Sequence, residues 1–418
     1  MKISVVGAGP AGLLFSLLIK RRFPNWSVNI FEQNPPDATF GFGVVFSQGA
    51  LAFLERDVPD FHERLVPRLE SWPIQRIVHR DERVDIDGNG FSAIGRLQLN
   101  QFLQELCREA GVSIEYQRTV TSLNDLPDCD LVVGADGLNS LVRRALEKEF
   151  APRVEWLTNR FAWYGTQRLF DCLTLTFRAN EHGAFVAHHY RYGANMSTFI
   201  VECDAQTWSR AGLDRMSDEE SRAYCKRIFA PDLHGHSLVS NKSAWRQFPL
   251  ITNRRWSVGP STRAPALAGG SRSGFRLMGG VESATSLPVG LHNAVLIGDA
   301  LRTVHFSIGS GTRLAFEDAI ALDCAFGEVG DNVPQALAAF ERERRPVVEK
   351  LLSAASASSF WYERMAEKMA LKPWALAYDY MIRSGRMTNE RLRELSPKFM
   401  ARMDGERKEI DQSRRKTF

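Results

Sequence analysis

Residues 1–32 constrain the fold more than any other stretch of this chain. Ile3, Ser4, Val5 and Val6 form a short apolar run, Gly7-Ala8-Gly9-Pro10-Ala11-Gly12 follows, and an apolar stretch runs from Leu13 to Ile19. Val28, Ile30 and Phe31 then lead to Glu32. The order is strand, turn, helix, strand, acid, and it points to a nucleotide cofactor. Gly7 permits the tight turn, Gly9 lets backbone approach a pyrophosphate, and Gly12, next to Ala11, lets the helix pack close to its strand. The helix amino terminus offers unpaired N–H groups and a partial positive charge to a diphosphate. Glu32 lies twenty residues after Gly12, where a carboxylate accepts hydrogen bonds from ribose hydroxyls and disfavours a 2′-phosphate. A glycine turn alone would say little; two strands, a helix and an acid in register say much more.

At 418 residues the chain has room for two or three domains, and its 44% hydrophobic content supplies their cores. The first strand begins too close to Met1 for a cleavable leader, and no run approaches membrane-spanning length, so a cytoplasmic protein is expected. The six cysteines are scattered without metal-site spacing and are expected to be reduced and buried, and no metal is expected. From Arg383 to Phe418 eleven Lys or Arg face six Asp or Glu. The charges are mixed and no aromatic residue interleaves the last block, so a solvated, partly frayed helix end is favoured over a nucleic-acid tail.

Beyond the opening unit, Phe40-Gly41-Phe42-Gly43-Val44-Val45-Phe46-Ser47 suits a loop lying against a flat ligand. Arg96 begins an amphipathic helix with Leu99, Phe102, Leu103 and Leu106 on one face. Asp130 to Gly137 reads as a second nucleotide-binding edge. Leu173–Arg178, Ala184–Tyr192 and Ser197–Glu202 read as an antiparallel meander forming a wall over the cofactor's reactive end. Residues 257–290 are rich in Gly, Ser and Pro and suggest a flexible loop. A strand from Asn293 to Ile297 leads into Gly298-Asp299-Ala300 and Gly309-Ser310-Gly311, and a helix with Ala315, Ala319, Leu322 and Phe326 on one face follows. Pro334 suits a first helical turn, Pro346 is expected to kink or break the last long helix, and Phe360-Trp361-Tyr362 favours core over a substrate cage.

Taken together, the Gly7-x-Gly9-x-x-Gly12 turn, Asp136-Gly137, and Gly298-Asp299 with Gly309 and Gly311 resemble the single-component FAD-dependent aromatic hydroxylases of the para-hydroxybenzoate hydroxylase type. The resemblance implies an α/β (α+β mixed) fold: a Rossmann-like FAD-binding domain over 1–165 and 291–345, an inserted antiparallel β-sheet substrate domain over 166–256, and C-terminal helices over 346–418. It implies that Gly7, Gly9, Ala11 and Gly12 hold the FAD pyrophosphate and Glu32 the adenosine ribose, while Arg96 holds the cofactor from its helix start. Asp136 and Gly137 match a segment shared between FAD and transient NAD(P)H contacts. Asp299 matches the acid at the ribityl or pyrophosphate region, and the backbone at Gly43, Val44, Gly309 and Gly311 would approach the isoalloxazine ring.

The runs Phe40–Ser47, Asp136–Ser140, Ser197–Glu202 and His305–Gly311 are similar to the branch of that family acting on salicylyl-CoA, 2-aminobenzoyl-CoA and a tryptophan-derived indole of the violacein pathway. The implied activity is hydroxylation of an aromatic substrate, CoA- or carrier-linked, through a C4a-hydroperoxyflavin with NAD(P)H and O₂. Departures are His305-Phe306 where a Pro-Pro pair is usual, and Arg302 where a histidine is frequent. His305, preceding the flavin-facing glycines, is the first catalytic candidate; His188 and Tyr190 share one face of their strand and are the next, with His189 on the other face. The indole-metabolite reading and a FAD-binding sensor that no longer hydroxylates stay open as alternatives. Other flavin-enzyme readings are a reductase, an oxidase or a halogenase, though the Trp-x-Trp-x-x-Ile segment of halogenases is absent.

Overall fold

A computed structural model describes residues 1–241, 243–259 and 293–416. Two sheets organise it. The first is six-stranded, in the order Ser257–Val258, Ala294–Leu296, Leu131–Gly134, Lys2–Val6, Ser27–Phe31 and Ser113–Glu115, and only the first of these runs antiparallel to its neighbour. Val5 pairs with Ile30 on one side and Val133 on the other, and all three are fully buried. Helices Pro10–Arg22, Arg96–Glu109 and Gly311–Val329 pack together with this sheet in one core, which is why its strands read as continuous apolar runs.

The second sheet has eight strands in the order Leu238–Ser240, Arg160–Thr166, Met196–Cys203, Gly183–Gly193, Leu173–Asn180, Glu70–His79, Glu82–Gly95 and Gly43–Ser47. The expected meander is its centre. The sheet is mixed, because Leu173–Asn180 runs parallel to Glu70–His79. It also takes strands from before residue 166, so the sequence boundary at 165/166 does not coincide with the edge of the sheet. Alternation divides its two faces. Phe185, Phe199 and Val201 pack with Phe229 and Leu233, whereas Val186, Ile86 and Phe177 pack with Trp361, Leu376, Tyr380 and Phe399 of the C-terminal helices.

Several local expectations are corrected by packing. Gly43–Ser47 is an edge strand paired with Phe91–Gly95, not a loop. The helix Val333–Glu363 runs through Pro346. Pro346 and Arg342, whose carbonyl loses its N–H donor, are both exposed, a position open to solvent, and buried Phe340, Val348 and Leu351 hold the helix on either side. The basic end is docked at least as far as Met403, since Leu392, Phe399, Met400 and Met403 are buried against the mixed sheet. Ser257 and Val258 form a strand, while 260–290 of the expected loop lies outside the described residues. All six cysteines are free, and Cys324 is exposed instead of buried. Among the described residues no helix is long and apolar enough to cross a membrane, and no group of His, Cys, Asp and Glu is disposed to hold a metal ion.

Candidate active site

Three turns distant in sequence follow the carboxyl ends of three adjacent parallel strands: Gly7–Gly9, Ala135–Gly137 and Gly298–Asp299. They meet at one end of a continuous cavity of about 640 Å³, whose other walls are the mixed sheet and the C-terminal helices.

The glycines divide by function. Gly7 has φ +102°, and a Cβ there would lie 2.5 Å from the Ala135 carbonyl oxygen; a Cβ at Gly12 would lie 2.2 Å from the Gly7 oxygen. Both positions are closed to any side chain by the protein itself. Gly9 differs: its nearest neighbour would be the Ala135 oxygen at 3.9 Å, and with Pro10 and Ala11 it forms the cavity wall. Gly9 is also the N-cap of the helix Pro10–Arg22 and provides no capping side chain, which leaves first-turn N–H groups for a ligand. Glu32 stands behind this turn, accepting hydrogen bonds from the Ala8 N–H at 2.8 Å and from the Asn34 backbone and side-chain N–H groups at 2.8 and 2.7 Å.

Asp136 caps the helix Leu141–Ala145, accepting from Leu141 and Val142 N–H at 2.6 and 3.2 Å, while its Oδ1 is buried without a partner. Burial raises its carboxyl above the ordinary value against these bonds. Gly137, with φ +71°, lines the cavity. Asp299 lines the cavity and is exposed; the protein packed around it raises its carboxyl, against the pull of Arg96 and Arg302. Its turn is clamped from below. Arg302, where the resemblance suggested a histidine, is buried, donates to the Gly298 and Leu314 carbonyls, and pairs with Asp318 at 2.7 Å; Asp318 also accepts the Gly298 N–H and pairs with Arg344. Arg96 begins its helix as expected and lines the cavity, as do Gly43, Val44, Gly309 and Gly311. Gly309 has φ +57°, which suits it to the turn.

The far part of the cavity is apolar and aromatic, with Trp163, Ile200, Phe248, Phe306, Tyr380 and Met381 among its walls. His188 and Tyr190 both face it, and His189 faces the opposite side, stacked on Phe199 and bonded to Thr176. The Tyr190 hydroxyl donates to the Gly43 carbonyl at 2.9 Å, and Thr198 Oγ1 accepts the Gly43 N–H at 2.9 Å, so this tyrosine anchors the edge strand. His305 does not line the cavity. It is buried beside Phe306, whose ring does, with Nε2 3.8 Å from Glu202 Oε1. Burial pushes its imidazole down to about 4 even though Glu202 favours the charged form.

Sequence reasoning missed Glu202, which lies between His188 and His305, and Arg383, which donates to the Ser307 carbonyl and Ser358 hydroxyl and lies 3.7 Å from the Tyr380 ring centre. The signal for Glu202 was an acid following the apolar run Phe199–Val201 inside the strand Met196–Cys203; Arg383 sat in what read as a solvated tail. At the exposed end of the cavity wall stand Arg386 and Arg391, neither with an ion-pair partner among the described residues.

No family model matches the chain. It is similar to a salicyloyl-CoA 5-hydroxylase of Streptomyces sp, 38% identical over 394 residues that cover 92% of this chain and 70% of the relative. A protodeoxyviolaceinate monooxygenase of Chromobacterium violaceum is 35% identical, covering 89% of this chain and 91% of that one. A 3-hydroxy-4-methyl-anthranilyl-[aryl-carrier protein] 5-monooxygenase of Streptosporangium sibiricum is 31% identical, covering 88% and 90%. Among solved structures, a mutant of 2-methyl-3-hydroxypyridine-5-carboxylic acid oxygenase superposes with TM-score 0.65 at 16% identity over 94% of this chain and 96% of that one. A probable FAD-dependent monooxygenase from Pseudomonas aeruginosa superposes with TM-score 0.61 at 18% identity, covering 87% and 96%.

Proposed function

The chain belongs to the FAD-dependent monooxygenases that hydroxylate aromatic compounds with NAD(P)H and O₂, and from that premise we propose that it hydroxylates an aryl group carried as a thioester, on coenzyme A or a carrier protein. The observation that carries the reading is the continuity of the cavity from the glycine turn to the aromatic chamber before His188.

The residues present fit the cofactor. The space beside Gly9 is left open by the protein, uncapped helix N–H groups suit a diphosphate, and Asp299 offers an acceptor or donor to hydroxyls. In this reading Gly7, Gly9, Ala11 and Gly12 shape the diphosphate cradle, with Glu32 steadying its turn. Arg96, Gly137 and Asp299 hold the middle of the cofactor, and the backbone of Gly43, Val44, Gly309 and Gly311 borders its ring. Bound FAD supplies electron transfer from NAD(P)H to O₂ and delivery of one oxygen atom to the substrate. The protein's part is orientation and dryness. Phe248, Phe306 and Trp163 hold an aromatic ring and exclude water, His188 bonds its hydroxyl or amino group, and Tyr190 fixes the edge strand that forms one wall.

The thioester is supported by relatives named for CoA- and carrier-linked aryl groups and by unpaired Arg386 and Arg391, whose charge suits the phosphate at the far end of a phosphopantetheine arm. A second reading, an indole-derived substrate, is favoured by the relative named for protodeoxyviolaceinate, nearly all of whose length the chain covers. The test is NAD(P)H consumption by FAD-loaded protein with salicylyl-CoA, 2-aminobenzoyl-CoA, the free acids and indoles, with products analysed by mass spectrometry. One added oxygen on a thioester and none on its free acid is the expected result; oxygenation of an indole alone sinks the thioester reading. Slow NAD(P)H oxidation with every compound would return the non-hydroxylating alternative.

A further inference from the structure

Glu202 is a fully buried carboxylate between two histidines from different elements. It lies opposite Val186 in the antiparallel pairing of Met196–Cys203 with Gly183–Gly193, which makes His188 its diagonal neighbour on the same sheet face. Its Oε1 accepts a bond from Asn159 Nδ2 at 2.8 Å and lies 3.8 Å from His305 Nε2. Its Oε2 faces His188 Nε2 at 3.5 Å, and both atoms are buried without any other partner. Two orphaned polar atoms that face one another across 3.5 Å need only a small rotation to bond.

We propose that Glu202 is a positioning residue that makes His188 the acceptor of the substrate's ring-hydroxyl proton. The inference rests on the hydroxylation proposed above. With Nε2–H directed at Glu202, the other ring nitrogen, Nδ1, is the one free to meet a ligand in the cavity. The ring O–H bond breaks, its proton moves to His188 Nδ1, and its electron pair stays on oxygen, enriching the carbon that is to be hydroxylated. The imidazolium then lies beside a carboxylate already in place.

The energetic logic is that of a buried ion pair built in two stages. A lone buried carboxylate is costly, and a proton arriving on His188 converts it into a neutral pair. Burial opposes the charge on Glu202, but His305, His188 and Asn159 prevail and hold its carboxyl below the ordinary value. The other groups facing the pair are Tyr362, whose phenol burial pushes up, and Arg383, whose positive charge helps keep His305 neutral. Of the two histidines beside Glu202 only His188 lines the cavity, so His188 is the one that can meet a substrate hydroxyl.

The experiment uses FAD-loaded protein, a phenolic substrate identified by the screen above, and a fluorinated analogue whose hydroxyl is more acidic. Glu202→Gln is expected to lower kcat on the order of a hundredfold near neutral pH, with KM changed less than about twofold. The loss should shrink as pH approaches the hydroxyl's own ionisation and be smaller for the fluorinated analogue. In the absence of NAD(P)H, the ultraviolet difference spectrum of bound substrate should be that of the phenolate in the wild type and of the phenol in the variant. A kcat loss equal at every pH and for both substrates, or phenolate uptake by both proteins, overturns the proposal. If Glu202→Gln does not fold, His188→Gln takes the same spectral titration, and phenolate uptake by it is equally fatal. Flavin colour and substrate-stimulated NAD(P)H oxidation by the wild type test the hydroxylase reading itself, so the two failures are distinguishable.

Discussion

The two ends of the cavity are built on different principles. At the glycine end, recognition belongs to backbone: Gly7 and Gly12 are forbidden a side chain by neighbouring carbonyls, Gly9 leaves its space empty, and a helix terminus faces inward. At the aromatic end, recognition belongs to side chains drawn from across the chain: Trp163, His188, Phe248, Phe306 and Tyr380. A diphosphate is the same in every flavoprotein and can be met by one compact motif, whereas an aryl substrate varies and is met by a wall that changes one side chain at a time. The difference teaches that substitutions at the first end should act on all substrates at once, and at the second end on one substrate or one step.

The sharpest way to break the comparison is Gly12→Val. The clash with the Gly7 carbonyl should destabilise the fold by about 3 kcal/mol and abolish flavin retention, whatever the substrate; thermal unfolding and flavin absorbance would measure this. Retained colour and stability would mean that the turn is not the rigid cradle described.

A smaller effect separates the buried histidine from the cavity. His305 is held neutral in the fold to about pH 4, while in the unfolded chain it takes a proton near its ordinary value of 6.5. The stability it contributes is therefore full above pH 6.5 and is lost as pH falls from 6.5 towards 4. Urea denaturation should show about 2 kcal/mol less stability at pH 5 than at pH 7 from this residue, and His305→Gln should flatten that slope. The Glu202 carboxyl, lowered in the fold, adds a loss of the same sign below its ordinary 4.5. An unchanged slope in His305→Gln would place the acid sensitivity elsewhere.

The smallest expected effect tests the exposed end. Replacing Arg386 and Arg391 together by alanine should raise KM for an aryl-CoA by about tenfold, some 1.4 kcal/mol, with kcat and flavin content unchanged. Equal KM with and without the substitutions would remove the phosphates of coenzyme A from that position.

The opening strand-turn-helix-strand unit was fully legible because its signals are local: apolar runs, a glycine spacing and an acid, all within the reach of one supersecondary motif. His188 and Tyr190 were legible as a pair because a strand alternates. His305 was the first catalytic candidate because it precedes Gly309 and Gly311, but proximity in sequence says nothing about which way a side chain points; the fold places Phe306 on the cavity wall and His305 towards Glu202. Gly43–Ser47 read as a loop because its partner Phe91–Gly95 is distant in sequence, and the C-terminal segment read as a frayed tail because charge hid the spacing of Leu392, Phe399, Met400 and Met403.

By itself, then, the sequence determined that a dinucleotide-type turn between strand and helix forms at the amino terminus, since backbone geometry and helix polarity are properties of short segments. Only the tertiary structure decided which side chains face one another across the cavity. The Glu202 carboxylate between two imidazoles, and the C-terminal helices that close the aromatic chamber, depend on sheet pairing and packing between residues far apart in the chain, where no local pattern carries the information.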